Sequence, residues 1–172
     1  AMFDLLTPEE NLRLFASFYE KSRPPEEILA MVNLTEHRTK KVKTLSGGQK
    51  QRLAIGLAMI GDPDILFLDE PTTGLDPQAR RNIWDIVRKL KELGKTTILT
   101  THYMEEAEQL SDRVCIVDQG KIVALDTPAA LINRLSRERE VRFAFIDGEE
   151  AAEEAERAAR ELDSVARLER EG

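Results

Sequence analysis

Apolar residues recur at helical spacing over the first part of the chain, up to the Gly-Asp-Pro stretch at 61–63. Thr7 and Glu10 predict a helix start, because the two side chains stand at the spacing of a capping box. The apolar residues of 27–32 predict a second, short helix. Residues 46–60 predict a third and longer helix, which Gly-Asp-Pro would stop.

From residue 64 the pattern changes to short apolar runs that alternate with helical stretches. The runs that predict strands are 64–68, 96–101, 114–117 and 121–125. We expect the first two strands to be buried on both faces, as strands inside a parallel sheet are. Helices are predicted between them at 77–93 and 104–110, and a last one after Thr127-Pro128. This alternation predicts an α/β domain with a largely parallel sheet.

The composition becomes strongly charged near residue 136, which predicts a linker. Beyond it, a strand pattern, an Ala/Glu/Arg-rich helix pattern and another strand pattern predict a β-α-β accessory segment over 136–172. Residues 1–135 then form the main domain. Within it we expect a helical part over about 3–62 and a sheet part over about 63–135.

Composition and charge restrict the class of protein. With 41% apolar and 33% charged residues, the chain resembles a globular rather than a disordered protein. The net charge of −7 argues against a surface that binds nucleic acid independently of the nucleotide sequence. No apolar run approaches the length of a membrane span. The single cysteine, Cys115, lies in an apolar run and is expected to be buried.

The start of the third helix is a candidate anion site. Ser46, Gly47 and Gly48 stand where the helix begins, so that backbone N–H groups and a hydroxyl face the same space. The helix dipole favours negative charge there. The alternative interpretation is an ordinary capped helix start with flexible glycines.

A second candidate site follows the strands at 64–68 and 96–101, where Asp69-Glu70 and His102 stand. In open α/β sheets, ligands bind beyond the carboxyl ends of the strands. We expect the two acids to point in different directions, so that one can hold a hydrated Mg²⁺ and the other can orient a water molecule. His102 would share this edge and reach a phosphate or the water. The other histidine, His37, lies in a polar stretch and receives no role.

These motifs, in this order, resemble the nucleotide-binding domain of ABC transporters. The matching segments are the signature sequence at 45–49, Walker B with its following glutamate at 65–71, the D-loop at 74–76 and the histidine switch at 100–102. The resemblance covers roughly residues 3–135. It implies a P-loop NTPase-type (RecA-like) fold with a helical signature subdomain.

The resemblance implies ATP and Mg²⁺ as ligands and a head-to-tail dimer with a second ATPase subunit. Each ATP would lie between the Walker A loop of one subunit and the signature loop of the other. Ser46, Gly47 and Gly48, with Gln49 beside them, would contact the γ-phosphate of ATP held by the partner. Transmembrane permease subunits would be further partners, which places the protein on the cytoplasmic face of a membrane.

The same resemblance implies roles for the residues at the sheet edge. Asp69 would hold Mg²⁺ through water, Glu70 would be the general base, and His102 would contact the γ-phosphate. Asp76, in the D-loop, would help couple the two ATP sites across the dimer. Glu70 and His102 are therefore the expected catalytic residues.

One motif of the family does not occur in the sequence. No Gly-x-x-x-x-Gly-Lys-Ser/Thr is found in the 172 residues, and neither the adenine-stacking aromatic nor the glutamine loop is recognised. We therefore expect a fragment that binds nucleotide weakly and is inactive alone, since the cradle for the β- and γ-phosphates is missing. Strands of the sheet would be missing too, so exposed apolar surface and self-association are expected.

Three functional interpretations follow from the resemblance. The segments at 71–77 and 101–108 look like those of ATPases serving multidrug, antibiotic or sodium exporters. A non-transport member of the superfamily is the second, although translation-associated members carry Asn-His where this chain has Thr73-Gly74. The third is a truncated, non-enzymatic protein that pairs with complete ATPase subunits.

Overall fold

The computed structural model describes residues 2–135, and the predicted β-α-β segment at 136–172 lies outside the described residues. The chain divides into two compact units, residues 1–114 and 115–172. Each unit is considered by itself. The predicted boundary between a main domain and an accessory segment at residue 135 stays a prediction.

The first unit begins with three helices, α1 (Pro8–Ala16), α2 (Pro25–Met31) and α3 (Gly47–Met59). The capping box at the start of α1 is present, and the backbone hydrogen bond from Thr7 lowers the pKa of Glu10 below its usual value. The helices pack around side chains that are fully shielded from solvent, among them Leu12, Ile28 and Leu53. Within residues 2–135, no helix combines the length and apolar character that a membrane span requires.

Two strands and two further helices complete the first unit. They are β1 (Ile65–Asp69), α4 (Pro77–Glu92), β2 (Thr96–Thr100) and α5 (Met104–Leu110). β1 and β2 pair in parallel with Asp69 opposite Thr100, so the two strands end at the same edge. This parallel pair with its surrounding helices confirms the predicted α/β class. Gly94, with φ of +74°, ends α4 in the left-handed conformation that glycine adopts without strain.

The prediction that β1 and β2 are buried on both faces is wrong. Leu66 and Leu68 are buried, but Ile65 and Phe67 on the other face of β1 are 51% and 75% exposed. Ile98 on β2 is also about half exposed, at 49%. Helix α3 contacts β1 and helix α4 contacts β2, but within residues 2–135 the Ile65 and Phe67 side chains stay uncovered. The expected exposed apolar surface is therefore present in this unit, while self-association stays a prediction.

The second unit contains a hairpin followed by a helix. β3 (Val114–Asp118) and β4 (Lys121–Asp126) are joined by Gln119 and Gly120, both with positive φ, as a two-residue type I′ turn requires. α6 (Pro128–Leu135) follows. The prediction that Cys115 is buried is wrong, because its side chain is exposed on β3. A two-stranded hairpin can cover only part of its surface, so an apolar run there does not ensure burial.

Candidate functional site

The start of α3 is held by reciprocal hydrogen bonds between Ser46 and Gln49. The Gln49 backbone N–H donates to Ser46 Oγ at 3.3 Å, and the Ser46 N–H donates to Gln49 Oε1 at 2.9 Å. The Gln49 amide nitrogen also lies 2.8 Å from His37 Nε2. The Gln49 side chain thus fixes the shape of the loop. The Ser46 hydroxyl only accepts in this pair of hydrogen bonds, so its own proton can still be donated to a ligand.

The two glycines that follow Ser46 have different surroundings. A Cβ on Gly47 would meet no atom within 4 Å, whereas a Cβ on Gly48 would lie 2.9 Å from the Ala79 Cβ. Gly48 therefore permits the close approach of α3 and α4, and Gly47 leaves its backbone open to a ligand. The N–H groups of Gly47 and Gly48 have no partner within the helix, whereas the Gln49 N–H donates to Ser46 Oγ; no acidic residue stands in this first turn. This end of α3 is suited to an anion.

Asp69 and Glu70 stand where β1 ends, and the chain turns sharply between them. Glu70 has φ of +43°, and its N–H donates to the carbonyl oxygen and the hydroxyl of Thr100 at 3.2 and 3.0 Å. The Thr100 hydroxyl in turn donates to Asp69 Oδ1. Thr100 thus binds both residues through one hydroxyl, and the expectation that the two carboxylates point in different directions stays a prediction. Thr100 holds the turn between Asp69 and Glu70 in place, because it lies opposite Asp69 in the strand register.

His102 lies beside Glu70, with its Nδ1 3.5 Å from Glu70 Oε1. The other carboxylate oxygen of Glu70 accepts a hydrogen bond from the Thr73 hydroxyl at 3.0 Å. The His102 ring packs against the ring of Tyr103 with centroids 4.2 Å apart, and the Arg80 guanidinium lies 4.5 Å from the Tyr103 ring centroid. The side chains of Glu70 and His102 are about half exposed, so both are open to a substrate and a water molecule.

Asp76 has a structural partner in this chain. Its carboxylate caps α4 by accepting the N–H groups of Gln78 and Ala79 at 3.0 and 2.9 Å. The predicted D-loop therefore leads directly into a well-capped helix start, and Pro77 occupies its first position. Since Ala79 also touches Gly48, the start of α4 lies against the start of α3.

Glu106 is a buried residue that binds the loop after Glu70, and the sequence alone did not identify it. It is fully buried, and it accepts hydrogen bonds from the Thr72 hydroxyl at 3.2 Å and from the Trp84 ring N–H at 2.9 Å. These contacts join the loop after Glu70, helix α4 and helix α5. A signal was available: Glu106 stands four residues before Leu110, on the face of α5 that is buried.

The residues at the sheet edge fit a hydrated magnesium ion. Among residues 2–135, no group of three or more His, Cys, Asp and Glu side chains is arranged to hold a metal by itself. Magnesium commonly keeps several water molecules and binds one or two carboxylates together with substrate phosphates. The exposed Asp69 carboxylate, oriented by Thr100, meets that requirement.

The structure brings the predicted residues together as two clusters. Asp69, Glu70 and His102 share one sheet edge, and Ser46 to Gln49 form the start of α3. Within the described part of the chain, no hydrogen bond or ion pair joins the first cluster to the second. Each cluster thus presents its polar groups separately from the other.

Comparisons with known proteins agree on one family. The family profile described as ABC transporter matches residues 1–73. The chain is 44% identical over 140 residues to the linearmycin resistance ATP-binding protein LnrL of Bacillus subtilis, covering 78% of this chain and 45% of that protein. It is 45% identical over 141 residues to the Nod factor export ATP-binding protein I of Paraburkholderia xenovorans, covering 76% and 46%.

A solved structure matches the fold. It is the dimeric, post-hydrolysis state of the ATP-binding cassette MJ0796 bound to ADP and Pi, with a TM-score of 0.64 and 31% sequence identity. The match covers 74% of this chain and 59% of that one. The chain spans slightly less than half the length of the two curated relatives named above.

Proposed function

Because this chain carries part of an ABC nucleotide-binding domain, we propose that it forms half-sites for ATP in a dimer of ATPase subunits and helps hydrolyse that ATP. The observation that carries the proposal is the meeting of Glu70 and His102 at the carboxyl edge of a parallel strand pair. The Gly-x-x-x-x-Gly-Lys-Ser/Thr loop does not occur in these 172 residues, and in this proposal it is supplied from outside them.

At the sheet edge, Glu70 is the general base. Its carboxylate is exposed, held by Thr73 and placed beside His102, so it can accept a proton from a water molecule that attacks the γ-phosphate. His102 contacts the same phosphate and fixes its position. A magnesium ion bound near Asp69 would neutralise charge on the phosphates.

At the start of α3, Ser46, Gly47 and Gly48 contact the γ-phosphate of ATP held by the second subunit. The Ser46 hydroxyl and the backbone N–H groups supply donors, and Gln49 holds the loop in shape. Asp76 caps α4 next to this loop and places the D-loop for coupling the two sites.

The proposed process is export across a membrane. Two of the relatives carry names that refer to linearmycin resistance and to Nod factor export, and they support an exporter assignment for this chain. Transmembrane permease subunits would then be partners, and the ATPase would work on the cytoplasmic face. The exported substrate is determined by those permease subunits.

The experiment that tests the proposal is Gly47→Ala in the assembled ATPase complex that contains this chain. We expect ATP turnover to fall about 10- to 100-fold, because the added methyl group displaces the phosphate from the N–H groups. The free energy of unfolding should not fall, since a Cβ at Gly47 meets no neighbour. Unchanged turnover would exclude the proposed role of this loop.

Gly48→Ala is the contrasting variant. Its Cβ would crowd Ala79, so we expect it to lower stability as well as turnover. Comparing thermal unfolding and steady-state ATPase rates for the two variants separates loss of ligand contact from loss of packing.

A further inference from the structure

His37 contacts the signature loop although sequence reasoning gave it no role. Its Nε2 lies 2.8 Å from the side-chain nitrogen of Gln49, twelve positions further along the chain. The same Gln49 amide accepts the Ser46 N–H through its oxygen. One amide group therefore stands between the imidazole and the residue proposed to contact ATP.

The orientation of the Gln49 amide follows from Ser46. A backbone N–H can only donate, so the group facing it must be the amide oxygen. The Gln49 –NH₂ group is then the one that faces His37, and it too can only donate. Hence His37 must accept at Nε2, and as a neutral ring it carries its proton on Nδ1.

His37 is held firmly enough to serve as such an acceptor. It ends a short 3₁₀ turn, Thr35–His37, and its backbone N–H donates to the carbonyl of Leu34 at 2.9 Å. Leu34 is fully buried in the core of the helical part. The His37 carbonyl also accepts the Lys40 N–H at 3.0 Å, so the turn is anchored on both sides.

We infer that His37 is a positioning residue for the signature loop: by accepting a hydrogen bond from Gln49 it fixes the amide that holds Ser46 in place. The functional part of this inference rests on the proposed function of Ser46 and its neighbours. Without His37, the Gln49 side chain regains rotamer freedom, and the Ser46 N–H loses a fixed partner. The Ser46 hydroxyl and the neighbouring backbone N–H groups are then less often in the positions from which they can donate to the phosphate.

The tautomer of His37 can be measured in the 172-residue chain without any nucleotide. Only two histidines are present, so long-range ¹H–¹⁵N NMR on labelled protein resolves both rings, and His102→Ala identifies which signals are His37. We expect Nδ1 protonated and Nε2 unprotonated, the reverse of the tautomer that free histidine prefers in water. Gln49→Ala should return His37 to the Nε2–H form. Nε2–H in the unmodified chain would overturn the inference.

The functional test compares two substitutions in the assembled ATPase complex. His37→Leu removes the acceptor, and we expect turnover to fall about three- to tenfold, the factor that one neutral hydrogen bond provides. His37→Gln offers a carbonyl oxygen in its place and should restore most of the rate. Glu36→Gln, at an exposed neighbouring position, should leave the rate unchanged.

The outcomes separate this inference from the proposed function. If Gly47→Ala lowers turnover but His37→Leu does not, the inference fails and the proposed function stands. If neither variant lowers turnover, the proposed function fails, whatever tautomer the NMR spectrum shows.

Discussion

Replacing Glu70 with Gln in the assembled ATPase complex is expected to lower ATP turnover about 10²- to 10⁴-fold, the usual contribution of a general base. The amide keeps the size of the side chain and can still accept the hydrogen bond from the Thr73 hydroxyl. It cannot accept a proton from water at neutral pH. Steady-state phosphate release measures the loss, and a nucleotide-binding assay on the same variant should show that ATP is retained.

Glu108→Gln is the matched control for Glu70→Gln. Glu108 is exposed on α5, and its side chain has no place in either cluster. The complex with Glu108→Gln should hydrolyse ATP at the rate of the unmodified complex. A Glu70→Gln variant that hydrolyses ATP at the unmodified rate would show that another group accepts the proton.

Replacing Glu106 with Ala is expected to lower the free energy of unfolding by about 2–5 kcal/mol, because two buried donors lose their acceptor. The donors are the Trp84 ring N–H and the Thr72 hydroxyl, and both residues are almost completely buried. Trp84 is the only tryptophan in the chain, so its emission follows unfolding in denaturant and also reports its own environment.

Two variants control the Glu106 experiment. Glu105→Ala, at an exposed position of the same helix, should change stability by about 0.5 kcal/mol or less. Glu106→Gln keeps an oxygen for the Trp84 N–H and should lose less stability than the alanine variant. If Glu106→Ala unfolds at the same denaturant concentration as Glu105→Ala, the buried network does not hold the loop.

The order and type of the elements could be predicted because their signals are local. Thr7 and Ser46 have a side-chain oxygen that caps a helix, and each has a partner three residues later. Gly94 marks the end of α4, and the pair Gln119-Gly120 marks the hairpin turn. These signals act within a few residues, so they can be read without knowledge of the tertiary structure.

Burial could not be predicted in the same way, because it depends on what packs against an element. The apolar runs around Phe67 and Cys115 predicted buried strands, yet both side chains are exposed. An apolar run predicts a strand, but the number of covered faces is decided by distant parts of the chain. The same reasoning explains why Glu106, in an acidic stretch, was overlooked although it is buried.

The candidate site was predictable as a set of motifs but not as a geometry. The sequence placed Glu70 and His102 after neighbouring strands, and the structure adds the left-handed turn at Glu70 and its anchor on Thr100. His37 was overlooked because its contact with Gln49 depends on how a 3₁₀ turn packs against the start of α3. No local pattern reports such a contact.

If these residues form half-sites, they need a phosphate-binding loop from outside the 172 residues to complete them. Calorimetric titration of Mg-ATP into the chain, alone and mixed with an ABC ATPase domain that carries that loop, tests this requirement most directly. We expect no saturable binding to the chain alone, and we expect binding in the mixture that Gly47→Ala weakens. Saturable micromolar binding to the chain alone, lost on Asp69→Ala, would contradict this expectation, because the loops present here would then make a complete site.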